Sequence, residues 1–189
     1  MSLVILPMEK LVLFAILSIP ILAVSWRSLS SVHNHGFYRF FGWEGILWLL
    51  VSNYKYWFVD PFSTHQMISW VLLINGGYLV IAGVIVYTRE GRIDRSRKEK
   101  ALFGFEKTTR LIDTGVYRHI RHPLYASLIY LTWGICFKNP APLMVIISIV
   151  SSVLFYLTSR YDEKECIAYF GDEYREYMTR SKMFVPFIF

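Results

Sequence analysis

The sequence predicts an all-α integral membrane protein with one domain and about five transmembrane helices. Three observations carry this. The 189 residues are 54% hydrophobic and only 18% charged, with a mean hydropathy of +0.38, which is too apolar for an ordinary soluble domain. The apolar residues come in long runs, and residues 67–88 form 22 positions without a charge, more than the roughly 20 that a helix needs to cross a bilayer. Aromatic residues gather near the ends of a run, as in the interfacial belts of membrane proteins.

The first run, 3–26, is apolar apart from Glu9 and Lys10. Both charges fall where a signal peptide would have a purely basic start, and no small-x-small cleavage site follows, so it is read as a retained span with a kink at Pro20. Residues 27–42 form a polar connection. His33-x-His35 within it is a possible metal pair, but with no further ligands nearby it reads as loop or interface. The second span, 43–59, has Trp43, Trp48, Tyr54, Tyr56 and Trp57 near its ends, with Glu44 and Lys55 placed to snorkel. The third, 67–88, is expected to break at Asn75-Gly76-Gly77, whose small residues, with Gly83, permit close helix approach. Asn75 is expected to bond across helices or line a cavity, with packing the main role of this stretch. Residues 124–137 and 143–158 form a helical hairpin around Asn139-Pro140-Ala141-Pro142. Residues 159–182 are polar and periodic, a cytosolic helix with a break at Gly171, and 183–189 are apolar and expected to dock on protein or at the interface. The chain thus divides into three N-terminal spans (1–88), a cytosolic loop (89–123), the hairpin (124–158) and a cytosolic C-terminal segment (159–189).

Charge sets the orientation. The segments 27–42, 89–122 and the tail hold two, ten and five Lys/Arg, against Lys10, Lys55 and Lys138 on the other side. The positive-inside rule therefore puts the 89–122 loop and the C-terminus in the cytosol. The net charge of +6 lies beside apolar spans, where it faces anionic lipid rather than nucleic acid. Cys136 and Cys166 suggest neither a disulfide framework nor a zinc site. There is no Walker loop, no Gly-x-Gly-x-x-Gly and no His-Glu-x-x-His.

The chemistry is concentrated in residues 114–125, Thr-Gly-Val-Tyr-Arg-His-Ile-Arg-His-Pro-Leu-Tyr. Gly115 can take a positive φ. Pro123 keeps His122 out of the helical region and itself suits the first turn of a helix. A helix start flanked by Arg121 and His122 suits a carboxylate or phosphate. A second constellation follows the hairpin: Arg160-Tyr-Asp162-Glu163-Lys-Glu165-Cys166. Asp162 or Glu163 can reach back to Arg118, Arg121 or His122, or hold a ligand. Glu165 reads as a solvated helix residue in i,i+4 charge pairs, and Tyr174 and Tyr177, three apart, as packing residues.

Together these stretches resemble the isoprenylcysteine carboxyl methyltransferase and phospholipid methyltransferase superfamily of integral membrane enzymes. The matching residues are Leu111, Gly115, Tyr117, Arg121-His122-Pro123-x-Tyr125, Asp162-Glu163, Phe170-Gly171-x-Glu173-Tyr174-x-x-Tyr177 and Pro186. The resemblance covers roughly 108–189. It implies S-adenosylmethionine in a cytosol-facing pocket built by 108–125 and 159–177, and a lipid-like acceptor entering sideways from the bilayer. It also implies cofactor contacts from Thr109, Arg110, Leu111 and Ile112, from Tyr117, and from Arg121, His122, Pro123, Leu124 and Tyr125. Asp162 and Glu163 close the site, and Arg160 and Glu163 are the residues expected nearest the chemistry. A sulfonium sits favourably near aromatic faces and carboxylates. In one respect the chain departs from the pattern. The prenylcysteine enzymes place a substrate-facing arginine four residues before the first acid; here that residue is Thr158, and Arg160 lies over half a helical turn away. The last third also resembles the NADPH-binding part of membrane sterol reductases, which have about twice as many spans. A non-catalytic membrane scaffold is a third possibility. The acceptor and the oligomeric state stay open.

Overall fold

A computed structural model describes residues 8–32, 34–91 and 110–188. The architecture is all-α. Among the described residues six α-helices follow in order: α1 Met8–Ser25, α2 His35–Asn53, α3 Thr64–Glu90, α4 Pro123–Cys136, α5 Pro142–Phe170 and α6 Asp172–Arg180. Among the described residues there is no strand, only a single parallel bridge between Ile120 and Lys182. Helices α1, α3 and α5 are long and apolar enough to cross a membrane, and α4 is a shorter apolar helix. Their outward residues are bare hydrophobics such as Ile16, Val71, Ile81 and Ile149, as expected where the solvent is lipid. The chain is an integral membrane protein.

Two antiparallel helix pairs form the frame. In each, small residues let backbones approach. A Cβ built on Gly42 would lie 2.6 Å from the Phe155 ring, and one on Gly45 would lie 2.0 Å from Ser151 Oγ, so α2 rests directly on α5. In the second pair, a Cβ built on Gly134 of α4 would lie 2.8 Å from the Leu73 side chain of α3, and one on Gly76 of α3 would lie 3.2 Å from the Ser127 carbonyl. Buried polar groups hold the second pair together and tie it to the first. Ser69 Oγ donates to the Gly134 carbonyl at 2.6 Å, and Asn53 Nδ2 donates to the Ile135 carbonyl at 2.9 Å. Helix α1 lies outside this frame, on α2. Phe14 meets Trp48 edge-on at 5.2 Å, and Ser18 Oγ donates to Glu44 at 2.6 Å.

At one end of the frame, Lys138 follows α4 and is 1% exposed. Its ammonium stands 3.4 Å from the centre of the Trp70 ring and donates to Gln66 Oε1 at 3.0 Å. Tryptophan faces and an amide thus replace water around the charge. The sequence counts Lys138 among the charges on the far side of the membrane; the structure buries it there.

Three further expectations need correction. Helix α3 runs unbroken through Asn75-Gly76-Gly77. Asn75 satisfies itself on the Val71 carbonyl of its own helix at 2.8 Å, and Gly76 serves contact with α4 rather than interruption. The second apolar helix begins at His35 and ends at Asn53, earlier than the 43–59 expected. The hairpin's second helix does not stop at 158. It continues as one piece to Phe170 and ends at Gly171, whose φ is +63°, a conformation that favours glycine.

The close contacts predict that Gly134→Ala is destabilising despite alanine's better helix propensity. Leu73 would have to move, including its backbone, and such overpacking costs about 1–3 kcal/mol. The expected result is a lower thermal midpoint in detergent, with Gly77→Ala, which meets nothing within 4 Å, as the unperturbed control.

Candidate active site

The polar motif is shaped by its backbone. Thr114 is extended, Gly115 turns with φ +55°, and Gly115–Arg118 form one 3₁₀ turn. A Cβ on Gly115 would sit 2.6 Å from Val86 Cγ2, so α3 presses against this turn. Pro123 is the first residue of α4 and His122 its cap, as the sequence predicts. The C-terminal segment then runs alongside. Arg121 N–H donates to the Lys182 carbonyl at 2.7 Å, His122 N–H to the Met183 carbonyl at 3.2 Å, and Lys182 N–H to the His119 carbonyl at 3.0 Å. Met183 and Phe184 are buried against this strip, so the first part of the apolar tail docks on protein, while Phe187 and Ile188 stay exposed.

An ion cluster joins the motif to α5. Glu163, 2% exposed, accepts from Arg121 Nε at 2.9 Å and stands 3.6 Å from His122 Nε2. Asp162 lies 3.5 Å from His122 Nδ1. Burial pulls the His122 imidazole down, but the carboxylates of Asp162 and Glu163 outweigh that and hold it above its ordinary value. The other arm of Arg121 donates to the carbonyls of Ser181 at 2.5 Å and Met178 at 3.3 Å, neutralising the negative end of α6. Tyr177 donates to the Tyr117 carbonyl at 2.5 Å.

This cluster borders a cavity of about 230 Å³. Of the residues expected to hold a cofactor, Arg110, Leu111, Ile112, Tyr117, Arg121, His122, Pro123, Leu124, Tyr125 and Asp162 all line it. Thr109 lies outside the described residues. Glu163 and Arg160 do not belong to the lining. Glu163 faces Arg121 and His122 from behind. Arg160, half exposed, only reaches Glu163 Oε2 at 3.2 Å, because α5 is regular here and carries it past the cavity. Thr158 is buried and donates to the Leu154 carbonyl of its own helix at 2.8 Å.

Sequence reading missed part of the lining: Arg39 and Trp43 from α2, Tyr87 from α3, and Glu165 from α5. Glu165 is not a solvated helix residue. It accepts from buried His35 Nδ1 at 2.9 Å. Tyr174 and Tyr177 pack, as expected, and also line the cavity. One signal for the α2 residues was available. His35, Arg39 and Trp43 are four apart, hence on one helix face, in a stretch otherwise rich in phenylalanine.

A family model described as phospholipid methyltransferase matches residues 65–173, more than half of the chain. The chain belongs to this family. The match spans nearly all of α3, then the motif, α4 and the whole of α5, so it contains both halves of the ion cluster. Among individual relatives, methanethiol S-methyltransferase 1 of Bradyrhizobium diazoefficiens is 26% identical over 187 residues, 95% of this chain and 55% of the relative. The chain thus spans about half the length of that relative. No solved structure matches it.

The cluster yields two predictions. Glu163→Gln leaves Arg121 and His122 without their buried counter-charge, and breaking such a pair costs about 3–5 kcal/mol. Arg160→Ala, at a half-exposed pair, changes stability by less than about 1 kcal/mol; thermal unfolding in detergent compares them. His122 is raised in the folded state, so its contribution is fully present below the ordinary histidine range and is lost as pH rises through the folded value. Wild-type melting temperature is therefore expected to fall as pH rises through that folded value, and His122→Gln to flatten the dependence.

Proposed function

We propose that the protein transfers a methyl group from S-adenosylmethionine to an acceptor drawn from the membrane. The observation that carries this is one cavity with the Arg-His-Pro-x-Tyr turn on one wall and Asp162 on another, inside the region of the family match. The residues fit the cofactor. His122 Nε2 is buried without a hydrogen-bond partner, next to the first turn of α4, whose leading N–H groups lack partners within the helix. A helix start of this kind suits the cofactor's carboxylate. Tyr87, Tyr117, Tyr125 and Tyr174 line the same cavity, and aromatic faces with the Asp162 carboxylate favour a sulfonium.

When bound, the cofactor supplies a methyl group already activated for displacement. The chain's own residues hold, orient and exclude water. Arg121 and Glu163 keep the turn in place, Tyr117 and Tyr125 present their rings, and Asp162 balances positive charge. The orientation read from the arginines and lysines puts this cavity at the cytosolic face, with 1–88 as three spans, 89–123 as the loop bearing the motif, 124–158 as the hairpin and 159–189 as the closing segment. The acceptor is lipid-like, reaching the cavity from the bilayer. A small thiol is the second reading, favoured by the relative whose name is a methanethiol S-methyltransferase. Both comparisons support methyl transfer rather than NADPH-dependent reduction.

Calorimetry on detergent-purified protein tests the reading. S-adenosylhomocysteine is expected to bind and NADPH not to. Tyr117→Ala and His122→Ala are expected to weaken S-adenosylhomocysteine at least about tenfold, or 1.4 kcal/mol, in protein that remains folded. NADPH binding alone would reverse the assignment.

A further inference from the structure

Two carboxylate–imidazole pairs stand side by side on α5. Asp162 meets His122 at 3.5 Å. Glu165, three residues on and so on the same helix face, meets His35 at 2.9 Å. Both acids line the cavity. In the methyl-transfer reading Asp162 balances positive charge, and Glu165 has no task.

The second pair is held from one side and open on the other. His35 begins α2, where Asn34 caps the helix by accepting from Gly36 N–H at 2.7 Å. The register of α2 on α5, set by Gly42 at Phe155 and Gly45 at Ser151, brings this helix start to Glu165. His35 then holds both carboxylate oxygens. Its backbone N–H donates to Oε1 at 3.5 Å, and its Nδ1–H donates to Oε2 at 2.9 Å. The ring is wholly buried. Its Nε2 has no hydrogen-bond partner among the described residues, so the ring's polar contact is with Glu165. Burying such a group costs free energy, and a mere tie between two helices could be made by apolar packing. The Glu165 side chain, by contrast, is 28% exposed. It can take a proton from a molecule in the cavity and return it to water. A carboxylate oriented by a second group in this way has the form of a general base.

The charges around it restrict what can enter. Arg39, Arg110 and Arg121 line the cavity against Asp162 and Glu165, and a bound sulfonium adds one more positive charge. An ammonium acceptor would meet like charge. A carboxylate acceptor has no proton to give at neutral pH. A neutral thiol avoids both conflicts. His35, Asp162 and Glu165 also bring three ligand-type atoms within 4.8 Å of one another, but Arg39 is close enough to act on His35 and Asp162, and its charge opposes a metal cation there. His35 lies before residue 65, outside the family match.

We propose that Glu165, positioned by His35, is the base that takes the proton of an apolar thiol as the thiol accepts the methyl group. This rests on the methyl-transfer reading. The S–H bond breaks and its proton passes to Glu165. The thiol's sulfur forms the bond to the methyl carbon. The methyl–sulfonium bond breaks, and its electron pair stays on the donor's sulfur. A sulfonium, a thiol and a carboxylate thus become two neutral thioethers and a carboxylic acid, which gives its proton to water.

The test uses the full chain in mixed micelles with labelled methyl donor and two long-chain thiols. One is an alkanethiol, protonated at neutral pH; the other is an electron-poor aryl thiol, already ionised there. Phosphatidylethanolamine and an S-alkylcysteine carboxylate are offered separately. Label is expected in the thiols. With a base in the site, wild-type kcat/KM for the alkanethiol levels off above neutral pH. Without one it climbs about tenfold per pH unit up to the thiol's own ionisation. The charged and titratable groups around the pair are Arg39 on α2, Asp162 and Cys166 on α5 and Tyr174 on α6. Glu165→Gln can still accept from His35 but cannot take a proton. It is expected to lower kcat/KM about a hundredfold or more for the alkanethiol, and by far less for the aryl thiol, which has no proton to lose. His35→Gln is expected to lower kcat for the alkanethiol more than it changes KM. Both variants are expected to bind S-adenosylhomocysteine as the wild type does. Equal losses for the two thiols in Glu165→Gln would overturn the assignment. So would a wild-type profile that climbs throughout, which decides the matter even where a variant fails to fold. Label in the lipid amine or the carboxylate instead of the thiols, or in no probe while wild-type protein binds S-adenosylhomocysteine, would overturn it as well. Wild-type protein that binds no S-adenosylhomocysteine would bring down the methyl-transfer reading itself.

Discussion

The Glu163 carboxylate is the constraint on which the rest of the site depends. It is almost wholly removed from water, and a charge in that position must be paired and hydrogen-bonded. The pairing draws together three segments that are far apart in sequence. Glu163 itself belongs to α5, Arg121 and His122 to the turn before α4, and the carbonyls on Arg121's other arm to the end of α6. One guanidinium thereby fixes the motif, the long helix and the closing segment relative to one another. The cavity between them has a defined shape because its corners are charged and cannot slide apart without exposing an unpaired ion.

This changes what the pattern of charges means for individual residues. Asp162 and Glu163 are neighbours, yet they do different work. Asp162 lines the cavity, and Glu163 faces the protein behind it. Adjacent positions on a helix point about 100° apart, so one acid meets ligand space and the other meets Arg121. Arg160 lies on yet another side.

How much of this was legible follows from the kind of signal each feature leaves. Long apolar runs announce α1, α3 and the two helices of the hairpin, and Pro123 announces the start of α4. The local turn is legible because Gly115 and Pro123 act on their own backbone. The ten lining residues from Arg110 to Asp162 came from a resemblance in local motif order. Arg39, Trp43 and Glu165 were not legible in the same way. Their roles arise from the register of α2 on α5, which is set by Gly42 against Phe155 and Gly45 against Ser151, over a hundred positions apart. Composition around Arg39 shows a polar connection; only the packing turns it into a wall. Asn75-Gly76-Gly77 misled for the complementary reason. In a membrane, glycines often serve a neighbour's approach rather than a break.

The unbroken length of α5 has a consequence for the depth at which the cavity lies. From Pro142 to Asp162 is 20 residues, a rise of about 30 Å, close to the ~30 Å thickness of a bilayer's hydrocarbon core. The helix works as a ruler. With its Pro142 end at one boundary, it sets the carboxylates at the depth of the opposite headgroups. An amphipathic molecule floating in that leaflet already holds its polar end at this depth. It can meet the cavity by drifting sideways, without its tail ever leaving oil.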